Sequence, residues 1–383
     1  MNLNVLVVAT KSPWPPVDGG RLLLALTLEG LEAAGCRTTL VAPELRPAEP
    51  GLVAARSLFS GQPLAIARHR QPGLVRDVER LLSAEAAERF DLVHVEQLQA
   101  LPQAEPAFRR GVPVVLREQN VESDLWAATA ARTPGLRGRI LGIESRRLAR
   151  WEGKAVRRAA ATLPLTAEDA SRLRWLSGVS EDTGRVRVVR APFPDLPAGP
   201  APLPGDPALV LLVSRGWLPN EDSVAWFLRE VWPAVRAEAP GAILHVFGAD
   251  PKSTPPAGAV HHPAPRDSAE AFAPGSILAV PLRIASGVRM KILEAWSRGV
   301  PVVGTPAAVA GLEAEDGREL LVAADALDFA RAVARLHREP ALTERLVEEG
   351  RRARRERHDP ARVVADLLEV YREVREAAGS AVR

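Results

Sequence analysis

Short apolar runs alternate with longer stretches of helical periodicity along the chain, and the first few elements set the pattern. Asn4–Val8 reads as a strand, Lys11–Gly20 as a Pro/Gly loop, and Arg21–Ala34 as an amphipathic helix that Gly35 ends before a strand at Thr38–Val41. Further strands are predicted at Leu92–Val95, Val112–Leu116, Ala161–Leu163 and Val186–Val189. Apolar strands alternating with helical patterns indicate parallel βαβ units. The alternation stops at residues 191–207, APFPDLPAGPAPLPGDP, which are too rich in Pro and Gly for a helix or a central strand and read as a linker. It then restarts, with strands at Leu209–Val213, Ile243–Phe247, Ile277–Val280 and Val300–Val303 and a helix at Asp222–Ala237. A helix beginning near Ser286 lies between the last two strands. From Leu327 the chain is mainly helical, and Pro360 opens a last helix.

The simplest architecture is α/β, with two doubly wound Rossmann-like domains facing each other across a cleft. Residues 1–190 form the first, 191–207 the linker and 208–358 the second, and the last helix, about 360–378, packs back on the first. A length of 383 residues agrees, being too great for one ordinary core.

Composition narrows the class without naming a chemistry. Hydrophobic content of 46% and charged content of 25% are those of a globular protein. The 34 prolines beside a single tyrosine reflect a biased overall composition. Cys36 is the only cysteine, which excludes an intrachain disulfide and a Cys-rich metal site. The opening MNLNVLVVATKSPWPP lacks the charged start and long apolar core of a secretory signal, and no apolar run reaches the roughly 18 residues of a membrane span. A cytoplasmic location is expected. Net charge is +3 with a pI near 9.5, and the arginines come without interleaved aromatics, so nucleic-acid binding is not expected. The stretch Arg132–Arg158 holds nine Arg/Lys against two Glu. It reads either as a solvated helix face or as an amphipathic surface docking peripherally on anionic lipid at the inner membrane face.

Four stretches hold candidate chemistry. PWPPVDGGR follows the first strand and opens the first helix, so Gly19 and Gly20 form either a plain turn or a close backbone approach to an anion. DLVHVEQ puts His94 and Glu96 at the carboxyl end of a strand, where open α/β sheets bind ligands. REQNVES, Arg117–Ser123, sets polar residues just beyond the next strand, with Asn120 and Ser123 as competent helix N-caps. In SGVRMKILEAWSRGVPVV, Gly287, Lys291 and Glu294 are spaced to share a helical face, beside an apolar face of Val288, Ile292 and Ala295. Lys291 and Glu294 form either an i,i+3 ion pair or part of a nucleotide site, with the cation on a pyrophosphate and the carboxylate on sugar hydroxyls.

The chain resembles the family 4 glycosyltransferases of GT-B fold, in the branch with a GxRxKxLEA-type donor motif. GVRMKILEAWSRGVPVV matches that motif, LLVSRGWLPNEDSVAWFLREVWP resembles the start of the donor domain, and PPVDGGR and NVES also fit. The resemblance implies retaining, metal-independent transfer of a hexosyl group from a nucleotide diphosphate sugar, with no bound cofactor. It implies a glycan, lipid-linked or other hydroxyl acceptor, as in polysaccharide biosynthesis. By position, Lys291 and Arg289 hold the diphosphate and Glu294 the ribose, while Ser286, Gly287 and Val288 line sugar and phosphate. Gly19 and Gly20 offer N–H groups to the diphosphate. Arg215 takes the arginine role at the first donor-domain strand, His94 and Glu96 occupy the catalytic position of the first domain, and Glu118, Asn120 and Glu122 lie on the acceptor side. Neutralising the leaving phosphate is the main catalytic device, so no protein nucleophile is expected, and none is visible.

Three positions depart from the family. Ser286 stands where many members have Glu, no lysine follows Arg215 in WLPNED, and the usual histidine position holds Glu96. Two alternatives therefore stay open. One is a GT-B epimerase or hydrolase using Glu96 or Glu118 to activate water; the other is a non-catalytic nucleotide-sugar-binding protein.

Overall fold

A computed structural model describes residues 3–43, 53, 57, 59–83, 90–213, 218–250, 252–265 and 267–381. It contains two parallel-sheet α/β domains. One compact unit runs to Pro192 and takes in Ser286–Val288 and the chain from Pro360; the other is Phe193–Ala285 with Arg289–Asp359.

The first sheet comprises β1 Asn4–Ala9, β2 Arg37–Val41, β3 Leu92–Glu96, β4 Val114–Glu118 and β5 Ala161–Pro164. Their order is β2-β1-β3-β4-β5, and every pairing is parallel. Alternate residues of β1 enter opposite cores, as a strand's two-residue period requires. Val5 and Val7 pack with Leu24, Leu28 and Leu31 of the Gly19–Ala33 helix and with Val363, Val364, Leu367 and Tyr371 of the Pro360–Ala381 helix. Leu6 and Val8 pack on the other face with Ile66, Leu98 and Leu148.

The predicted strand Val186–Val189 is not one. Only a single bridge joins Thr162 to Val186. The segment lies along β5, with Arg187 N–H donating to the Thr162 carbonyl and Val189 N–H to the Pro164 carbonyl. Pro164 has no N–H to return a bond, so the ladder stops.

The second sheet comprises β6 Ala208–Leu212, β7 Ile243–Phe247, β8 Ala259–His262, β9 Ser276–Val280, β10 Val302–Gly304 and β11 Leu321–Val322. Its order is β11-β10-β9-β6-β7-β8, again all parallel. The periodicity missed β8, with two histidines in four residues, and β11, with two residues in all. Between β6 and β7 the single predicted helix is three pieces: Leu218–Trp226, a widened turn at Phe227–Val231, and Trp232–Glu238. Pro233 lacks an N–H and its ring crowds the carbonyl four residues back, so an unbroken α ladder cannot pass. The wider turn keeps Phe227, Val231 and Trp232 in the core.

The proline-rich stretch begins by strapping onto the second unit. Phe193 N–H donates to the His358 carbonyl at 2.8 Å, and Leu196 N–H donates to Ser297 Oγ at 2.7 Å. Buried Arg354 donates to the Phe193 carbonyl and pairs with Asp195.

Candidate active site

Ligands of open parallel sheets bind beyond the carboxyl ends of strands where chain order reverses. In the second sheet that point lies between β6 and β9, which are adjacent although far apart in sequence. Lys291 marks it, because its Nζ donates to the carbonyl of Leu212, the last residue of β6, at 3.0 Å. Lys291 sits in the first turn of the Met290–Arg298 helix, whose N-cap is Arg289. Gly287 therefore precedes this helix instead of sharing its face with Lys291 and Glu294; its φ of 69° is left-handed. Burial, reinforced by the adjacent Arg289 charge, pushes the Lys291 ammonium down to about 8. Val288, Ile292 and Ala295 are buried.

Glu294 does not pair with Lys291. It accepts from Arg298 Nε at 2.9 Å and from Ser268 Oγ at 2.5 Å, and is 5% exposed. An i,i+4 guanidinium thus holds the carboxylate in one place. Arg298 is itself held by the Pro197 carbonyl. Arg215 lies outside the described residues.

In the first sheet the reversal lies between β1 and β3. His94 and Glu96 of β3 are 1% and 2% exposed and bond to each other at 2.9 Å. They belong to a chain of hydrogen bonds. Tyr371 Oη bonds His94 Nδ1 at 2.7 Å, Gln119 Nε2 donates to Glu96 at 2.9 Å, Gln97 Nε2 donates to Gln119 Oε1 at 2.7 Å, and Thr10 Oγ1 donates to Gln97 Oε1 at 2.6 Å. Burial works to raise the Glu96 carboxyl, but the His94 hydrogen bond and the Arg117 charge hold it below the usual range. Gln97 closes β3 with φ 73° and ψ 144°, a glycine-like conformation that costs about 1–3 kcal/mol in other residues. Such outliers gather at functional sites.

Gly20 lies against the middle of that chain, where an added Cβ would stand 2.8 Å from Gln119 Oε1. The helix carrying Gly19 and Gly20 starts at Gly19, with Asp18 as N-cap accepting from Arg21 N–H. Asp18 is paired with Lys11 at 2.7 Å, so this helix start already holds a carboxylate and its counter-charge.

Beyond β4 lies a buried group of acids. Neither Asn120 nor Ser123 caps the Glu122–Arg132 helix, whose N-cap is Val121. Glu152, from the long Gly135–Arg158 helix, does so instead, accepting from the N–H groups of Glu122 and Ser123 and from Ser123 Oγ. Burial pushes its carboxyl up to about 8. Burial and the neighbouring Glu152 and Glu122 raise Glu118 well above the carboxylate range, and its Oε1 has no hydrogen-bond partner among the described residues. Burial also raises Glu122. Ser286 and Gly287, which cluster with this unit, meet Asp169. Ser286 Oγ donates to one Asp169 oxygen at 3.0 Å and accepts from Val121 N–H at 2.8 Å, and Gly287 N–H donates to the other oxygen at 3.1 Å. The Asn120 amide, oriented to satisfy both its ends, donates to the Ser286 carbonyl at 2.7 Å. A Cβ on Gly287 would run into the Gln119 carbonyl, so this turn requires glycine.

In the second unit the sequence-predicted residues Arg289 and Lys291 thus lie at the start of one helix, and Glu294 lies a turn further along it. In the first, Glu118, Asn120 and Glu122 come together with Ser286 and Gly287, while His94 and Glu96 are interior. Sequence reasoning missed Gln97, Gln119, Glu152, Asp169, Ser268, Arg298 and Tyr371. Gln97, Gln119 and Arg298 lay inside the flagged stretches, Arg298 on the same helix as Glu294, and Glu152 inside Arg132–Arg158; Asp169, Ser268 and Tyr371 come from elsewhere in the chain and carry no local signal.

Two family models match. Residues 19–192 match a Glycosyl transferase 4-like domain, and residues 207–339 match Glycosyl transferases group 1. No curated protein matches the sequence significantly. Among solved structures, sucrose-phosphate synthase of Thermosynechococcus elongatus superposes with a TM-score of 0.69 at 16% identity, over 98% of this chain and 100% of that one. HepE of Anabaena, in complex with UDP-glucose, gives 0.64 at 14% identity over 99% and 100%. The α,α-trehalose 6-phosphate synthase of Burkholderia multivorans gives 0.60 at 16% identity over 98% and 99%. With a Glycosyl transferase 4-like domain followed by a Glycosyl transferases group 1 domain, on the fold these structures share, the chain is a GT-B glycosyltransferase.

Proposed function

We propose that the protein is a retaining glycosyltransferase of the GxRxKxLEA branch, moving a hexosyl group from a nucleotide diphosphate sugar to a hydroxyl of a glycan or lipid-linked acceptor. The observation that carries this reading is the pairing of Arg289 with Lys291 at a helix start beside the end of β6, with Lys291 pushed down to about 8. Two cations crowded into a partly buried site repel each other, and a diphosphate relieves that repulsion. As the bond between sugar and phosphate breaks, charge develops on the leaving oxygen, and fixed cations there stabilise the transition state more than the ground state. Glu294, held by Arg298 and Ser268, is the carboxylate that accepts hydrogen bonds from the ribose hydroxyls in this reading. The leaving phosphate takes the acceptor's proton as the new bond forms on the same face of the sugar.

A non-catalytic nucleotide-sugar-binding role is the second reading. It is favoured by Ser286, whose hydroxyl is engaged by Asp169 and Val121 where many family members carry a carboxylate. Thermal-shift titration against UDP-, GDP-, dTDP- and ADP-linked sugars, followed by nucleotide-release assays with and without acceptor, separates the possibilities. UDP-glucose is the first donor to try, since HepE binds it. Acceptor-dependent release supports transfer, release without acceptor indicates a hydrolase, conversion to an epimeric nucleotide sugar without release indicates an epimerase, and binding without any of these indicates the non-catalytic role. Failure of every nucleotide diphosphate to bind overturns the donor assignment.

A further inference from the structure

The Gly135–Arg158 helix is 24 residues long. Its inner side buries Gly138, Ser145, Leu148, Glu152 and Val156. On its outer side, Leu136, Ile140 and Ile143 are 72%, 48% and 56% exposed. Their four- and three-residue spacing puts them in one stripe. The same stripe continues with exposed Arg146, Arg150 and Lys154, and exposed Arg137 and Arg139 flank its apolar end. Arg147 pairs with Glu144 and Arg158 with Glu105. Among the described residues, the five outward cations Arg137, Arg139, Arg146, Arg150 and Lys154 have no carboxylate partner.

A solvated helix face accounts for the cations but not for three branched aliphatic side chains aligned in water, an arrangement that marks an interaction surface. We propose that this face docks on an anionic lipid bilayer. Leu136, Ile140 and Ile143 enter the boundary between headgroups and acyl chains, while the cations lie against lipid phosphates. Charge complementarity selects this occupant. Unpaired positive charge runs along the stripe without an interspersed acid, as an extended anionic plane requires, and the aliphatic ridge has no use on a soluble polyanion. Among the described residues no helix is long and apolar enough to cross a membrane, so the contact is peripheral. The helix is already packed into its domain, so docking orders nothing new. The inference goes beyond the donor site and does not depend on it, although it suits an acceptor held in a membrane.

The test is co-sedimentation of the full chain with vesicles of phosphatidylcholine alone or mixed with phosphatidylglycerol, at low and physiological salt. Binding is expected to the phosphatidylglycerol vesicles only, weakening as salt rises. The triple variant R146Q/R150Q/K154Q should lose roughly a hundredfold in partitioning, about fivefold per charge. L136S/I140S/I143S, with every charge retained, should lose binding comparably, and I143S alone should lose part of it should the triple variant misfold by circular dichroism. Nucleotide binding should be unchanged in all of them. Absence of binding to phosphatidylglycerol vesicles overturns the proposal. So does full binding by the serine variants, which reduces the surface to nonspecific attraction for polyanions.

Discussion

Lys291 shows how one residue couples chemistry to stability. Its ammonium is held near 8 against a usual 10.5 by burial and by Arg289. Between those values the unfolded chain keeps a proton that the folded chain has released, so this residue's contribution to stability rises with pH across that window. In the proposed donor role, diphosphate binding has the opposite sign, because the anion needs the charged ammonium, and affinity should fall as pH passes about 8. Lys291→Met should therefore bind nucleotide diphosphates at least tenfold more weakly, the loss of one charge-assisted hydrogen bond. It should also unfold at a higher temperature than wild type near neutral pH, with the difference closing toward pH 10.5. Calorimetric titration and thermal melts over one pH series check both. Unchanged affinity in the variant would remove Lys291 from the phosphate site.

The element most dependent on distant support is the Glu122–Arg132 helix. Its first N–H groups are satisfied by Glu152 from the next helix and not by a residue at its own start. Glu152→Ala should cost about 1–3 kcal/mol in denaturant unfolding, the penalty for orphaning buried donors. Glu152→Gln keeps an acceptor oxygen and should cost less. With the carboxyl near 8 in the fold and near 4.5 when unfolded, the folded state holds the extra proton across that window. Wild-type stability should accordingly decline as pH rises from about 4.5 to about 8, and the glutamine variant should flatten that decline. Urea titrations at fixed pH intervals read the slope directly. Capping at a helix's own start is the local rule, and a long-range carboxylate overrode it here. The same kind of override split the predicted helix at Pro233 and ended the predicted strand at Pro164, where a missing N–H outweighed a favourable apolar pattern.

For the whole molecule, the main consequence is that chain order and domain membership differ. The last helix, Pro360–Ala381, follows the second unit in sequence but completes the first unit's core through Val363, Val364, Leu367 and Tyr371. Ending the chain at Asp359 should expose that core and remove the Tyr371 hydrogen bond to His94. The first unit should then be cleaved rapidly in limited proteolysis, while the second, whose sheet and Lys291 site use no residue of that helix, should still bind a nucleotide diphosphate. Equal protease resistance of both units would contradict this division.

The sequence by itself determined the alternation of strands and helices, the break at residues 191–207, and the run holding Arg289, Lys291 and Glu294. Each of these is written in neighbouring residues, through apolar periodicity, backbone-restricting prolines or fixed helical spacing. Tertiary structure decided which of those charges pair with which. Glu294 chose Arg298 and Ser268 over Lys291, and Asp169 met Ser286 and Gly287 from more than a hundred positions away. It also decided that His94 and Glu96 would be interior and that Leu136, Ile140 and Ile143 would face water. Burial and hydrogen-bond partnership depend on which elements the fold brings together, and no local pattern encodes that.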